Sequence, residues 1–308
     1  MSNTHVETIA AELSVNESQV SAVADLLDDG ATIPFIARYR KEATGSLDEV
    51  AVTRIRDRLR QVRDLESRKT AVLKSLQEHG HLTEELEAQV LAAASLAELE
   101  DLYLPFRPKR RTRASIAREK GLEPLAEAIF AQNGTDPETA AAAFVDPEKK
   151  VATVQEALAG ARDIIAEWIN EDAESRSQMR RLFTEKGILT SRVAAGKETD
   201  GAKYRDYFDW SEPLKDAPSH RVLAMRRAER EDILTLSIAP PEEEALNLLR
   251  SRFVKGDGAD AEQVAEAATD SYRRLISRSM ETEMRLSAKD RADAEAIRIF
   301  AENLRELL

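Results

Sequence analysis

Apolar residues recur at helical spacing along most of this chain. They return every three or four residues, which places them on one face of an α-helix. The pattern is clearest in two long stretches, one with Val52, Ile55, Leu59, Val62 and Leu65 and the other with Ala294, Ile297, Ala301, Leu304 and Leu308. The sequence therefore predicts a predominantly all-α fold, an elongated multi-helix assembly of long antiparallel helices joined by short connections.

The pattern changes after Gly187. Two short β-branched runs, at 188–194 and 233–238, are flanked by turn residues and predict a small β patch of two or three strands. A single long helix is expected to run from Thr153 to Gly187 before this change. We therefore predict an N-terminal helical domain over residues 1–190 and a second helical segment with short strands over 191–308. The final helix ends at Leu308 without a cap, so the protein is expected to continue beyond it.

A corner between two helices is predicted between Ile33 and Glu49. Phe35 and Tyr39 lie at helical spacing beside Arg38 and Arg40, and we assign these four residues, with Trp210 further along the chain, to structural motifs. With the two helices before it, this stretch forms a cluster of three short helices. A helix-turn-helix that contacts DNA and a plain packing unit both fit such a cluster.

Composition excludes several classes of site. The chain contains no cysteine, no apolar run of about 20 residues and no Gly-Lys-Ser/Thr phosphate loop. His79 and His81 form a polar turn without a third ligand, and the acidic residues are spread over helix faces. We therefore expect no metal, no cofactor and no membrane contact, a cytoplasmic location, and a protein that is not an enzyme.

Charge is unevenly distributed. The net charge is −12, which argues against general coating of nucleic acid, yet the segment from Arg107 to Lys120 holds seven basic residues against one acid. Prolines stiffen its start, so basic side chains there are suited to phosphate contact. Pairing with acidic helices of the same chain is the alternative. The candidate nucleic-acid-binding residues are Arg107, Lys109, Arg110, Arg111, Arg113 and Arg118.

An aromatic cluster lies between the two β-branched runs. It contains Tyr204, Tyr207, Phe208 and Trp210, beside Lys203 and Arg205. Such residues form either a plug that anchors irregular backbone or a platform on which bases stack. The nearby prolines favour the plug.

Three stretches together resemble one protein family. The corner at 33–49, the segment Asp101–Leu122 and the stretch from Tyr207 through Leu223 are similar, in this order, to the Tex family of bacterial transcription accessory proteins. One departure is Ala228, where the family usually has glycine. The resemblance implies the N-terminal helical region, truncated before a ribonuclease-H-like domain. It also implies a non-catalytic module that contributes to binding of RNA or DNA in transcription, weakly for this fragment alone. The alternative is a structural scaffold that braces downstream domains or docks on the transcription machinery.

Overall fold

The computed structural model describes residues 3–107 and 111–306. By contacts between residues the chain divides into two compact units, Met1–Phe106 and Arg107–Leu308. The boundary predicted near residue 190 falls inside the second unit, and that domain division stays a prediction. Helices dominate both units, which confirms the predicted fold class. The helices of the first unit are α1 (Asn3–Leu13), α2 (Glu17–Asp28), α3 (Ile33–Tyr39), α4 (Lys41–Thr44), α5 (Glu49–Glu78), α6 (Glu84–Ala92) and α7 (Leu96–Tyr103).

The long helix α5 organises the first unit. It begins where the Asp48 carboxylate accepts a hydrogen bond from the backbone NH of Ala51 at 2.8 Å, an N-cap that fixes the first turn. The first half of α5 packs with α1, α2 and α3 around Val20, Ile36 and Ile55. Its second half packs with α6 and α7 around a separate cluster that includes Leu76.

The second unit is built around one buried helix. Its helices are α8 (Arg113–Glu119), α9 (Glu123–Ala131), α10 (Pro137–Ala142), α11 (Val154–Glu171), α12 (Ala173–Lys186), α13 (Ser219–Arg230), α14 (Glu242–Phe253), α15 (Ala259–Ser271) and α16 (Ser277–Glu306). Helix α11 contacts α8, α9, α10 and α15, and its small residues Ala157 and Ala161 are fully buried. Small side chains let these helices approach closely.

The predicted β patch is a three-stranded antiparallel sheet. Strand β1 (Ile188–Val193) lies between β2 (Asp209–Pro213) and β3 (Leu234–Ala239), in the order β2-β1-β3. Ser191 pairs with Trp210 on one side and with Leu236 on the other. The two predicted runs correspond to β1 and β3, and the third strand, β2, contains Trp210 of the aromatic cluster.

The predicted helix from Thr153 to Gly187 is wrong in one respect. It begins as predicted, with the Thr153 hydroxyl accepting from the Glu156 NH at 3.1 Å, but it breaks at Asp172. There the Asp172 carboxylate accepts from the Ser175 NH at 2.7 Å and caps α12. The apolar spacing continues across the break, so periodicity alone did not reveal it.

The sequence predicts that the last two helices run from Ala261 to about Arg285 and from Ala288 to Leu308, and this division is wrong. A five-residue π-helical turn at Tyr272–Ile276 joins α15 to α16, and α16 continues through residues 285–288. A π-helical turn carries one residue more than the α-helix around it.

Candidate nucleic-acid interface

The basic segment follows a short 3₁₀ turn at Leu104–Phe106 and includes helix α8. Its candidate residues Lys109 and Arg110 lie outside the described residues, so only Arg107, Arg111, Arg113 and Arg118 can be placed. These four do not share one environment. Three are exposed and one points into the fold.

Arg107, Arg111 and Arg113 present their guanidinium groups to solvent. The side chain of Arg111 is 71% exposed and its Nη2 lies 3.1 Å from the Glu119 carboxylate, itself 59% exposed. Within residues 3–107 and 111–306, neither Arg107 nor Arg113 forms a close ion pair, but the charge of Arg113 acts on the half-buried Asp163 of α11, where it opposes the burial that raises the pKa of that carboxyl. An exposed ion pair contributes little to stability, so Arg111 can exchange Glu119 for a phosphate at small cost.

Reciprocal capping fixes the start of α8. The Thr112 hydroxyl accepts from the Ser115 NH at 3.0 Å, and the Ser115 hydroxyl oxygen accepts from the Thr112 NH at 2.8 Å. The Thr112 hydroxyl also donates to Glu167 of α11 at 3.1 Å. The backbone beside Arg111 and Arg113 is therefore fixed by hydrogen bonds at Thr112 and Ser115.

Arg118 faces inward and braces α8 against α11. Its guanidinium lies 2.6 Å from the Glu167 carboxylate and 2.9 Å from Glu123. Burial opposes its positive charge, but hydrogen bonds to Glu167 and Glu123 outweigh burial and raise the pKa of the guanidinium. Because Glu167 is only 8% exposed, this pair is part of the fold. Arg118 is therefore less available to a phosphate than the exposed arginines before it.

The predicted structural motif at the corner divides between core and surface. Ile36 and Ala37 are buried, whereas Phe35 is 46% exposed and Tyr39 is 68% exposed. Arg38 and Arg40 are exposed beside them. The sequence carried a signal for this face, since Phe35, Arg38 and Tyr39 have the spacing of neighbours on one helix side. This spacing alone does not distinguish a binding surface from the structural motif that the sequence predicts.

Trp210 lies in a packed environment. The guanidinium of Arg221 sits 4.6 Å from the centre of its ring, and the Tyr207 ring meets it edge-on with centroids 6.4 Å apart. Tyr204 is buried, and Phe208 packs against the core. This arrangement supports the plug over a base-stacking platform.

Metal-binding and membrane-spanning features do not occur within the described part of the chain. It contains no group of three His, Cys, Asp or Glu side chains arranged to hold a metal ion. None of its helices combines the length and apolar character needed to cross a membrane. The helix-turn-helix interpretation of α1 to α3 stays a prediction.

Comparison with known proteins identifies two family regions. Residues 3–77 match the Tex-like protein N-terminal domain, and residues 132–300 match the Tex central region-like family, a match that alone covers more than half of the chain. The chain is 43% identical to "Protein tex" of Bordetella pertussis, over 98% of this chain and 40% of that protein. It is 41% identical to "Transcriptional accessory protein Tex" of Neisseria gonorrhoeae, over 97% of this chain and 40% of that protein.

A more distant human relative covers the same length. "S1 RNA-binding domain-containing protein 1" of Homo sapiens is 25% identical over 98% of this chain and 32% of that protein. The chain thus spans about 40% of the length of its bacterial relatives. With both family regions matched in order along the sequence, the chain belongs to the Tex family of transcription accessory proteins.

Proposed function

We propose that this chain is a non-catalytic helical module of a transcription accessory protein, and that it contacts nucleic-acid phosphates through Arg107, Arg111 and Arg113. Lys109 and Arg110 belong to the same predicted segment. The relatives' names support this role, since one is called a transcriptional accessory protein and another RNA-binding. A cytoplasmic location is proposed with it.

The observation that carries the proposal is the exposure of this segment in an acidic chain. Many other arginines of the second unit are paired with carboxylates, among them Arg252 with Asp172 at 2.8 Å and Arg273 with Glu242 at 2.6 Å. By contrast, Arg107 and Arg113 form no close ion pair within the described residues, since Asp163 near Arg113 pairs with Arg274 at 3.3 Å, and Arg111 pairs with the exposed Glu119. A phosphate could therefore bind these arginines without breaking a buried ion pair.

The test is a salt titration of binding to short single-stranded and duplex DNA and RNA, followed by fluorescence anisotropy. Each phosphate contact releases counterions, so the logarithm of affinity should fall with the logarithm of salt by roughly 0.7 to 0.9 per contact. The double variant R111A/R113A should lower this slope by about two contacts and weaken all sequences alike.

A matched control removes the same charge elsewhere. Arg273 and Arg298 are 63% and 57% exposed and pair with Glu242 and Glu302. The variant R273A/R298A should leave the salt slope unchanged. If both double variants change the slope equally, net charge alone explains binding and the basic segment is not the contact.

The scaffold function remains the second candidate because α16 carries exposed apolar side chains. Leu286 is 56% exposed, Ile297 is 69% exposed and Phe300 is 68% exposed. Such side chains on one long helix are typical of a surface covered by another protein part. Binding of RNA polymerase in a pull-down, lost in I297S/F300S and accompanied by no nucleic-acid affinity, would favour this function.

A further inference from the structure

The corner formed by α3 and α4 exposes an aromatic pair flanked by cations. We call Phe35, Arg38, Tyr39, Arg40 and Lys41 the corner surface. The rings of Phe35 and Tyr39 lie 5.5 Å apart between centroids, tilted by 41°, and both are open to solvent. Rings at such exposure contribute little to a core, and two of them side by side form an exposed apolar patch, which is more informative than a single exposed apolar residue.

The opposite side of α3 is firmly anchored. Ile36 is fully buried in the cluster formed with α5, and Thr44 of α4 is also fully buried. The amide of Gln19 in α2 donates to the carbonyl oxygen of Thr44 at 2.9 Å, and the Thr44 hydroxyl donates to the Arg40 carbonyl oxygen at 3.1 Å. The corner surface therefore rests on backbone fixed by packing and hydrogen bonds. Because this backbone is already fixed, binding would cost little conformational entropy.

Two of the three cations of the corner surface have no close carboxylate in the described part of the chain. From Ile33 to Glu49 the chain has three basic residues and three acids, and one of these acids, Asp48, is engaged as the N-cap of α5. Arg38 is 70% exposed and its Nε lies 3.7 Å from the nearest Glu49 oxygen. For Arg40 and Lys41, the described residues offer no carboxylate at ion-pair distance. In a chain of net charge −12, such a basic surface fits an anionic partner.

We propose that the corner surface binds single-stranded nucleic acid, with unpaired bases stacking on Phe35 and Tyr39 and phosphates contacting Arg38, Arg40 and Lys41. Exposed aromatic rings beside cations suit this ligand because every base has a face that can stack. A duplex hides those faces, so the corner surface should discriminate against it. The inference deepens the proposed function and rests on it, but it depends on residues of the first unit only.

The test uses the whole chain and a 12-nucleotide single strand carrying 2-aminopurine at its centre, with a duplex of the same sequence. Replacing both rings, F35A/Y39A, should weaken single-strand binding about tenfold and abolish the 2-aminopurine signal change, since stacking of a base on an aromatic side chain is lost. The salt slope and the duplex affinity should not change. The ring-retaining variant F35Y/Y39F should bind like the native chain.

The basic segment gives the opposite pattern. R111A/R113A should lower the salt slope for both strands and leave the 2-aminopurine signal in place. If R111A/R113A acts as expected and F35A/Y39A binds single strands like the native chain, the inference is overturned while the proposed function stands. If F35A/Y39A lowers the affinity for single strand and duplex equally, base stacking on the corner surface is also overturned. Melting temperatures check that both variants fold. We expect them to be unchanged, since the substituted side chains are exposed.

Discussion

Gly45 adopts a backbone conformation that residues with a side chain rarely adopt. Its φ is +61°, in the left-handed region, and a Cβ there would lie 2.7 Å from the Gln19 Nε2 atom. We expect Gly45→Ala to lower the free energy of unfolding by about 1–2 kcal/mol from backbone strain, and further by displacing the Gln19 amide. The measurement is urea denaturation.

Gly80→Ala is the matched control for that prediction. Gly80 has φ +71°, and a Cβ added there would meet no atom within 4 Å, so this variant isolates the backbone strain from the clash. Equal losses in the two variants would show that the Gln19 contact contributes nothing. A larger loss at Gly45 measures the cost of displacing the Gln19 amide.

Glu231 links stability to pH. The Lys203 ammonium, 2.8 Å away, and the Arg227 guanidinium, 3.0 Å away, lower the pKa of its carboxyl from 4.5 to about 2. Since the folded pKa is depressed, this stabilisation is present above pH 4.5 and is lost as pH falls towards 2. Glu231→Gln should therefore remove part of the fall in stability across that pH range. An NMR titration of Glu231 with a midpoint near 4.5 would contradict the assignment.

Among the individual elements, α8 carries one arginine that pairs with a buried carboxylate, Arg118, and one that is exposed, Arg113. Arg118→Ala should lower the free energy of unfolding by about 1–3 kcal/mol, because it leaves the buried Glu167 without its charged partner. Arg113→Ala should leave stability within about 0.5 kcal/mol of the native chain, as at most exposed positions. Thermal unfolding of the two variants tests this. A destabilised Arg113→Ala would place that residue in the fold and weaken the phosphate proposal.

The sequence predicted element types better than element ends. Spacing and capping residues identified the all-α class, the β patch and the start of α11 at Thr153. They missed the break at Asp172, because its carboxylate caps α12 while the apolar stripe runs on. For the candidate site, the local excess of basic residues identified the basic segment. The inward orientation of the Arg118 side chain, however, depends on Glu167, 49 residues away. Such pairing between distant positions cannot be derived from local pattern.

For the molecule as a whole, the first unit has its own core. Its clusters around Ile55 and Leu76 are built from residues of that unit alone, and a chain of about 100 residues is a common domain size. We expect residues 1–106 to fold in isolation, with a helical circular dichroism spectrum and a single cooperative urea transition. A spectrum typical of an unfolded chain would show that the unit requires the rest of the protein.

The π-helical turn at Tyr272–Ile276 sets the rotational phase between two helices. One residue of an α-helix corresponds to about 100° of rotation, so the extra residue turns everything after it by that angle. Helix α15 packs on α11 and α16 packs on α13, and the buried side chains Met280, Met284 and Ala288 depend on that angle. Shortening the turn by one residue would leave each helix intact yet aim this row of side chains about 100° away from its partner. Substitutions at exposed positions such as Arg273 should be tolerated, whereas a change of length there should not.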